Sequence, residues 1–239
     1  TIETNDGIIT YYSIKGEIEK ETKNGEIWNG KLTEWYENGQ KRSEGKYKDG
    51  EKDGLWTWWY ESGQKRIAGN YKDGKRAGIW TSWDLLGVET SASDWFQKGY
   101  DADENNEYDK AISFLERAIE LNPDYAVAYN NLGIAYKAQG NLTKAIESYE
   151  KAIKLNPDYA FAYNNLGIAY KDQGNFTKAI ESYEKAIKLN PDDADAYNNM
   201  GNAYYDQGNT QQQISNYKKA ARLGHQPAQD WLERNGYNW

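Results

Sequence analysis

The chain has 239 residues, a net charge of −8 at pH 7 and no cysteine. The acidic balance disfavours nucleic acid and anionic membranes as partners, because their phosphates would be repelled, and a basic or neutral protein fits better. The lack of cysteine excludes a disulfide framework and a thiolate metal site. Seven of the ten Trp precede residue 90, so we expect two domains, residues 1–91 and 92–239.

A 24-residue repeat fills most of the first domain, because Gly30–Asp53 and Gly54–Ala77 align along their whole length. A third copy begins at Gly78, and Gly7–Tyr12 with Gly16 is a worn copy upstream. Asn, Asp and Gly recur between the aromatic stretches, and these residues tolerate the positive φ of hairpin turns. The pattern predicts an antiparallel β-hairpin meander.

The aromatic residues of this segment alternate as on a β-strand, with an interruption. Trp56 and Trp58 would point one way and Trp59 the other, and this mismatch predicts a bulge or a sheet covered on both faces. We expect the tryptophans to form the core, with Trp59 fully buried and Trp35 and Trp83 equivalent to it. The alternative is an exposed aromatic face that binds a partner.

Residues Gly30 to Asp84 resemble MORN-type repeats, in the bacterial variant with a W-x-x-W-Y-x-x-G core and a G-x-Y-x-x-G return. Some proteins with this variant are antitoxins of toxin–antitoxin systems. The resemblance therefore implies a hairpin-repeat sheet and, as an alternative function, an antitoxin or immunity-like protein that neutralises a toxin.

A second repeat, of 34 residues, dominates the rest of the chain. The units 126–159 and 160–193 differ at only four positions. Apolar residues spaced by three and four, such as Tyr129, Leu132 and Tyr136, lie on one face of a helix, and a turn follows each such stretch. Each unit is therefore predicted to be helix, turn, helix, turn, and the strict period indicates a solenoid.

The repeated residues match the signature of the tetratricopeptide repeat. The matching positions in the second unit are Tyr129, Leu132, Gly133, Tyr136, Ala145, Tyr149, Ala152 and Pro157. The resemblance implies four repeats, at 92–125, 126–159, 160–193 and 194–227, followed by a capping helix at 227–235. The fold class expected is α+β, with an N-terminal antiparallel hairpin sheet followed by an all-α solenoid.

Catalytic and metal-binding chemistry is not predicted. The single histidine, His225, lies at the turn after the last repeat and is interpreted as a surface residue. Two calcium-loop look-alikes, starting at Asp49 and Asp101, lack the glutamate at the twelfth position. We expect no enzyme activity, no cofactor and no metal.

The most plausible function is a non-catalytic protein–protein interaction scaffold. The resemblance implies a concave groove lined by the second, fifth, sixth, ninth, twelfth and thirteenth places of each first helix. The candidate peptide-binding residues at these places are Val127, Asn130, Asn131, Ile134, Lys137, Phe161, Asn164, Asn165, Ile168, Lys171, Asn198, Asn199, Asn202 and Tyr205.

The chemistry of these residues suggests the ligand. Asn131, Asn165 and Asn199 form a ladder whose amides can both donate to and accept from an extended backbone. Phe161 serves no evident core role, so we expect the ligand to carry an apolar anchor, and Lys137 and Lys171 suggest an acidic residue. The cationic clamp with which some family members hold acidic chaperone tails is expected to be absent.

Other readings stay open at the level of sequence: a structural spacer without ligand, and, least favoured, an enzyme. A cytoplasmic location is favoured, but export stays open, because a chain that starts at Thr1 rather than Met suggests a processed or trimmed start, which would remove any upstream targeting segment. The sequence leaves the partner and the oligomeric state undetermined.

Overall fold

A computed structural model describes residues 29–239 and, before them, the backbone of four short strands. It divides the chain into two compact units, Thr1–Ser91 and Ala92–Trp239. The four strands form an antiparallel sheet in chain order: β1 (Ile2–Glu3), β2 (Ile8–Tyr12), β3 (Ile18–Lys23) and β4 (Glu26–Ile27). The worn repeat copy coincides with β2, while its glycines Gly7 and Gly16 lie outside the described residues.

The 24-residue repeats form a second antiparallel sheet, a six-stranded meander in which each strand pairs with the next one in the chain. Its strands are β5 (Gly30–Trp35), β6 (Lys41–Lys48), β7 (Glu51–Trp59), β8 (Lys65–Lys72), β9 (Lys75–Trp83) and β10 (Glu89–Thr90). Asp49–Gly50 and Asp73–Gly74 all have positive φ, as tight two-residue turns require. Together with the helices that follow, this sheet confirms the predicted α+β class.

Close approach between strands explains why glycine recurs in β6 and β8. A Cβ atom at Gly45 would lie 2.1 Å from the Trp56 ring, and one at Gly69 would lie 2.3 Å from the Trp80 ring. Each indole therefore lies flat across the backbone of the preceding strand. Tyr36 donates a hydrogen bond to the carbonyl of Trp59 at 2.9 Å, which ties one repeat to the next.

The prediction of which tryptophans form the core is wrong. Trp56 is buried, with 1% exposed, and packs against Tyr47 and Tyr71, whereas Trp35 is 58% exposed and Trp59 is only half-buried. The cause is the β-bulge between Trp58 and Trp59, and a bulge was one of the two arrangements that the sequence offered. It moves Trp59 out of the alternation and leaves its ring beneath the ammonium group of Lys41, at 5.5 Å.

The second unit consists, in the described residues, of nine helices. They are α1 (Ala92–Glu104), α2 (Tyr108–Leu121), α3 (Ala126–Ala138), α4 (Leu142–Leu155), α5 (Ala160–Asp172), α6 (Phe176–Leu189), α7 (Ala194–Asp206), α8 (Thr210–Arg222) and α9 (Gln226–Arg234). Odd-numbered helices from α1 to α7 are the first helices of the repeats. Asn141, Asn175 and Asn209 cap the second helices that follow them, each accepting a hydrogen bond from a backbone N–H three residues on.

Tyrosines make contacts both between the two helices of one repeat and between neighbouring repeats. A Cβ atom at Gly133 would lie 2.5 Å from the Tyr149 ring, so glycine allows the paired helices to touch. Tyr136 donates to a carboxylate oxygen of Glu116 in the preceding repeat at 2.9 Å. Burial, together with this bond, raises the pKa of Tyr136 to about 12, and the same arrangement recurs between Tyr170 and Glu150.

The last helix closes one end of the stack. Leu232 and Ala228 are buried against Tyr217 of α8, and the Trp231 ring meets the Tyr217 ring edge to face at 4.8 Å. His225 was predicted to be a surface residue, but only 13% of its side chain is exposed. Its Nδ1 accepts the backbone N–H of Ala228, so the histidine is the N-cap of α9.

Candidate functional site

The groove positions named from the sequence fall on α3, α5 and α7, and they differ in exposure. Phe161 and Tyr205 are exposed, at 65% and 63%, and Val127 is also exposed. Ile134 and Ile168 are half-buried and pack against the main core cluster. Phe161 is thus the most exposed large apolar side chain among the groove positions of the two matching repeats.

The asparagine ladder is built from pairs that join successive repeats. Asn165 donates from Nδ2 to Oδ1 of Asn130 at 3.0 Å, and Asn199 donates to Asn164 at 3.2 Å. Asn131, at the start of the row, donates to the carbonyl of Val127 in its own helix. The sequence placed all of these residues in the groove, but Asn130 is buried and serves the contact between repeats.

The groove lysines lie beside carboxylates of the next repeat. The ammonium group of Lys137 lies 3.7 Å from Asp172, and that of Lys171 lies 3.9 Å from Asp206 and 3.6 Å from Asp172. Asp172 and Asp206 occupy the thirteenth place of their repeats. From the sequence this place was counted as part of the groove, but the two aspartates were not named. Lys137 and Lys171 therefore have counter-charges of their own.

The first junction between repeats breaks this pattern. Asp103 of α1 occupies the twelfth place, where the next two repeats have lysine, and Ala138 occupies the thirteenth place of the following repeat. The Oδ1 atom of Asp103 is buried without a hydrogen-bond partner. Burial, and after it the neighbouring Glu104, raises the pKa of the Asp103 carboxyl above its ordinary value.

Tyrosine hydroxyl groups also lie without partners at the repeat junctions. The hydroxyls of Tyr149 and Tyr183 are buried with no hydrogen-bond partner. Burial raises the pKa of Tyr149, and the charges of Asp103 and Asp172 raise it further. In the fourth repeat the equivalent Tyr217 donates to Asn202 at 2.5 Å, because Asn replaces the isoleucine of the ninth place.

The described residues contain neither a metal-binding cluster nor a membrane-spanning helix. They hold no group of three or more His, Asp or Glu side chains that could bind a metal ion. Among the helices in that part of the chain, none combines the length and the apolar character needed to span a bilayer.

Comparison with known proteins identifies the helical unit. A family model described as TPR repeat matches residues 104–140, 135–174 and 169–208, and one described as Tetratricopeptide repeat matches residues 194–223. No curated protein matches the sequence. These matches lie outside Gly30–Asp84, where the resemblance to MORN-type repeats stays a prediction.

The solved structures that are similar to the chain include two of MamA. A crystal structure of MamA is 32% identical, with a TM-score of 0.54, and the match covers 58% of this chain and 81% of MamA. A second crystal structure of the MamA protein gives 32% identity and a TM-score of 0.53, covering 58% of this chain and 75% of the other.

Proposed function

Since this chain belongs to the tetratricopeptide repeat family, we propose that it binds an extended segment of a partner protein in the concave groove of α3, α5 and α7. The repeats and the similarity to MamA support a protein–protein interaction scaffold in general. The observation that carries the more specific proposal is the exposure of Phe161 beside an ordered row of asparagines.

Phe161 supplies the apolar contact. Its ring is 65% exposed and meets the Tyr159 ring edge to face at 6.5 Å. Burying an exposed aromatic side chain against a partner is a common source of binding energy at interfaces. Ile134 of the preceding repeat and Ile168 of the same repeat are both half-buried and extend the apolar surface. The ligand therefore carries an apolar anchor residue.

The asparagine row supplies the polar contacts. The bond from Asn165 to Asn130 fixes the orientation of the Asn165 amide, so its oxygen and its second N–H are presented to a ligand without further loss of side-chain entropy. Asn199 is held in the same way by Asn164. A peptide backbone has the alternating donors and acceptors that such amides match.

The acidic ligand residue expected from Lys137 and Lys171 is the second feature of the proposal. It would bind by displacing Asp172 or Asp206, whose carboxylates lie 3.6 to 3.9 Å from the two ammonium groups. Partly exposed pairs at such distances contribute little, so the exchange costs little. For the same reason it adds little affinity, and the apolar anchor dominates.

Peptide display on the full chain tests the proposal. A selected peptide should bind Phe161→Ala, and separately the double variant Asn131→Ala/Asn165→Ala, at least roughly tenfold more weakly, about 1.4 kcal/mol, by calorimetry. The matched control is Leu189→Ala, which removes an exposed apolar side chain from the second helix α6. Helical content by circular dichroism should stay constant. Unchanged affinity in both groove variants would move the site elsewhere.

The antitoxin or immunity-like role is the alternative, and it rests on the resemblance of Gly30–Asp84. It predicts that the chain rescues cells from a co-expressed toxic enzyme and that the rescue requires the hairpin repeats. Failure of rescue across candidate toxins, with groove binding intact, would favour the scaffold.

A further inference from the structure

We propose that the first repeat junction of the groove binds a basic side chain of the partner, with its ammonium or guanidinium group between Asp103 and the hydroxyl of Tyr149. The inference rests on the proposed function, because the basic residue belongs to the same extended segment. It gives the ligand a basic residue at the first junction, in addition to the acidic residue proposed for Lys137 and Lys171.

The repeat pattern is broken at the first junction. At the second and third junctions the twelfth-place lysine of one repeat faces the thirteenth-place aspartate of the next, as Lys137 faces Asp172. At the first junction the twelfth place holds Asp103 and the thirteenth holds Ala138. A carboxylate therefore stands where the other junctions have the lysine. Opposite it, the short side chain of Ala138 is exposed and leaves room for a ligand.

Two polar side-chain atoms at this junction lack hydrogen-bond partners. The Tyr149 residue is fully buried, yet its hydroxyl makes no hydrogen bond. Asp103 is half-buried as a residue, and its Oδ1 atom is buried without a hydrogen-bond partner. A buried polar group without a partner costs free energy. Tyr217, whose hydroxyl bonds to Asn202, demonstrates that the same tyrosine position can be satisfied.

The chemistry of the Asp103 carboxylate and the Tyr149 hydroxyl indicates which ligand group fits. A carboxylate is an acceptor, and a tyrosine hydroxyl can also accept, so a group with several N–H donors and a positive charge serves both at once. An acidic ligand residue would be repelled by Asp103 and by the adjacent Glu104. A bound metal ion is disfavoured, since the described residues hold no cluster of three ligating side chains. The net charge of −8 favours approach of a basic segment.

The test uses the full chain and random 12-residue peptides displayed on phage. We expect selection on the unmodified protein to enrich Lys or Arg at a fixed spacing from an apolar residue. The best synthetic peptide should bind Asp103→Asn at least tenfold more weakly. Its counterpart with Gln in place of the basic residue should bind both proteins equally, as a double-mutant cycle requires for direct contact.

The matched control is the double variant Asp103→Lys/Ala138→Asp, which copies the Lys–Asp pair of the other junctions into the first one. It should lose the preference for Lys or Arg while keeping the dependence on Phe161. Thermal unfolding of the free variants supplies a readout that needs no ligand. Asp103→Asn should be at least as stable as the parent chain, because it removes a half-buried charge that has no counter-charge.

Three results would overturn the inference: no enrichment of Lys or Arg at a fixed spacing from the apolar residue, equal affinity of the basic peptide for Asp103→Asn, or a clear loss of stability in that variant, which would reveal an internal partner. The proposed function fails in a different way. It fails if no peptide binds, or if the selected peptides bind without any dependence on Phe161 or on the asparagine row. The proposed basic subsite would then be wrong as well.

Discussion

Single side chains set the stability of the β-hairpin unit unequally. Trp56 is buried against Tyr47 and Tyr71, and its Nε1 donates to the carbonyl of Lys46 at 2.9 Å. Trp56→Ala should therefore cost about 3–5 kcal/mol, the range for a large buried aromatic side chain. Trp35→Ala is the matched control, and should change stability by about 0.5 kcal/mol or less because its ring is mostly exposed.

Chemical denaturation of the two variants, followed by tryptophan fluorescence and circular dichroism, measures the difference. Equal losses would contradict the burial of Trp56. The sequence contains the 24-residue period, it predicted the turns, and it offered a bulge as one of two explanations for the interrupted alternation, but it placed Trp59 in the core. The error is physical: alternation alone does not say on which side of a bulge the buried face continues, and that depends on the pairing of Trp58 with Ile67 and of Trp59 with Lys65.

The groove shows the same limit at the level of residues. The resemblance to the tetratricopeptide repeat implied that Asn131, Asn165, Lys137 and Phe161 occupy groove places on the first helices. It could not predict the bonds between repeats, such as the one from Asn165 to Asn130. Those depend on how far one helix is displaced along its neighbour, and a one-dimensional period does not contain that displacement.

At the scale of elements, α9 depends on contacts with α8 for its stability. A nine-residue helix is too short to be stable alone in water. Leu232, Ala228 and Trp231 bury their apolar side against Tyr217, and His225 caps the first turn. The helix in turn covers the side of α8 that has no further repeat beside it.

Truncation after Gly224 should therefore lower the melting temperature and promote association, because it exposes Tyr217 and Ala221 of α8. Truncation after Tyr237 is the control, since it leaves α9 intact together with the Trp231–Tyr237 stack. Differential scanning calorimetry and size-exclusion chromatography measure the two effects. A shortened chain that melts like the parent and stays monodisperse would remove the capping role.

Across the helical unit, the core is a series of neighbouring contacts. One cluster of buried side chains runs from Ala102 of α1 to Ala203 of α7, and a separate cluster joins α8 to α9. In a solenoid each repeat touches only its neighbours, so stability is a sum of local and interface contributions and the ends open first. The position of a substitution along the stack should then decide how far its effect spreads.

Glycine substitutions at two equally buried alanines test whether the effect of a substitution depends on its position along the stack. Ala169 of α5 and Ala228 of α9 are both fully buried in their helices, and replacing either with glycine removes one packed methyl group and costs about 1 kcal/mol in helix propensity. Native-state hydrogen exchange should accelerate across α3 to α7 in Ala169→Gly, because that residue belongs to the long cluster. In Ala228→Gly the acceleration should be confined to α8 and α9. Equal acceleration of all helices in both variants would mean that the unit opens as a single cooperative block, and the nearest-neighbour description would then be wrong.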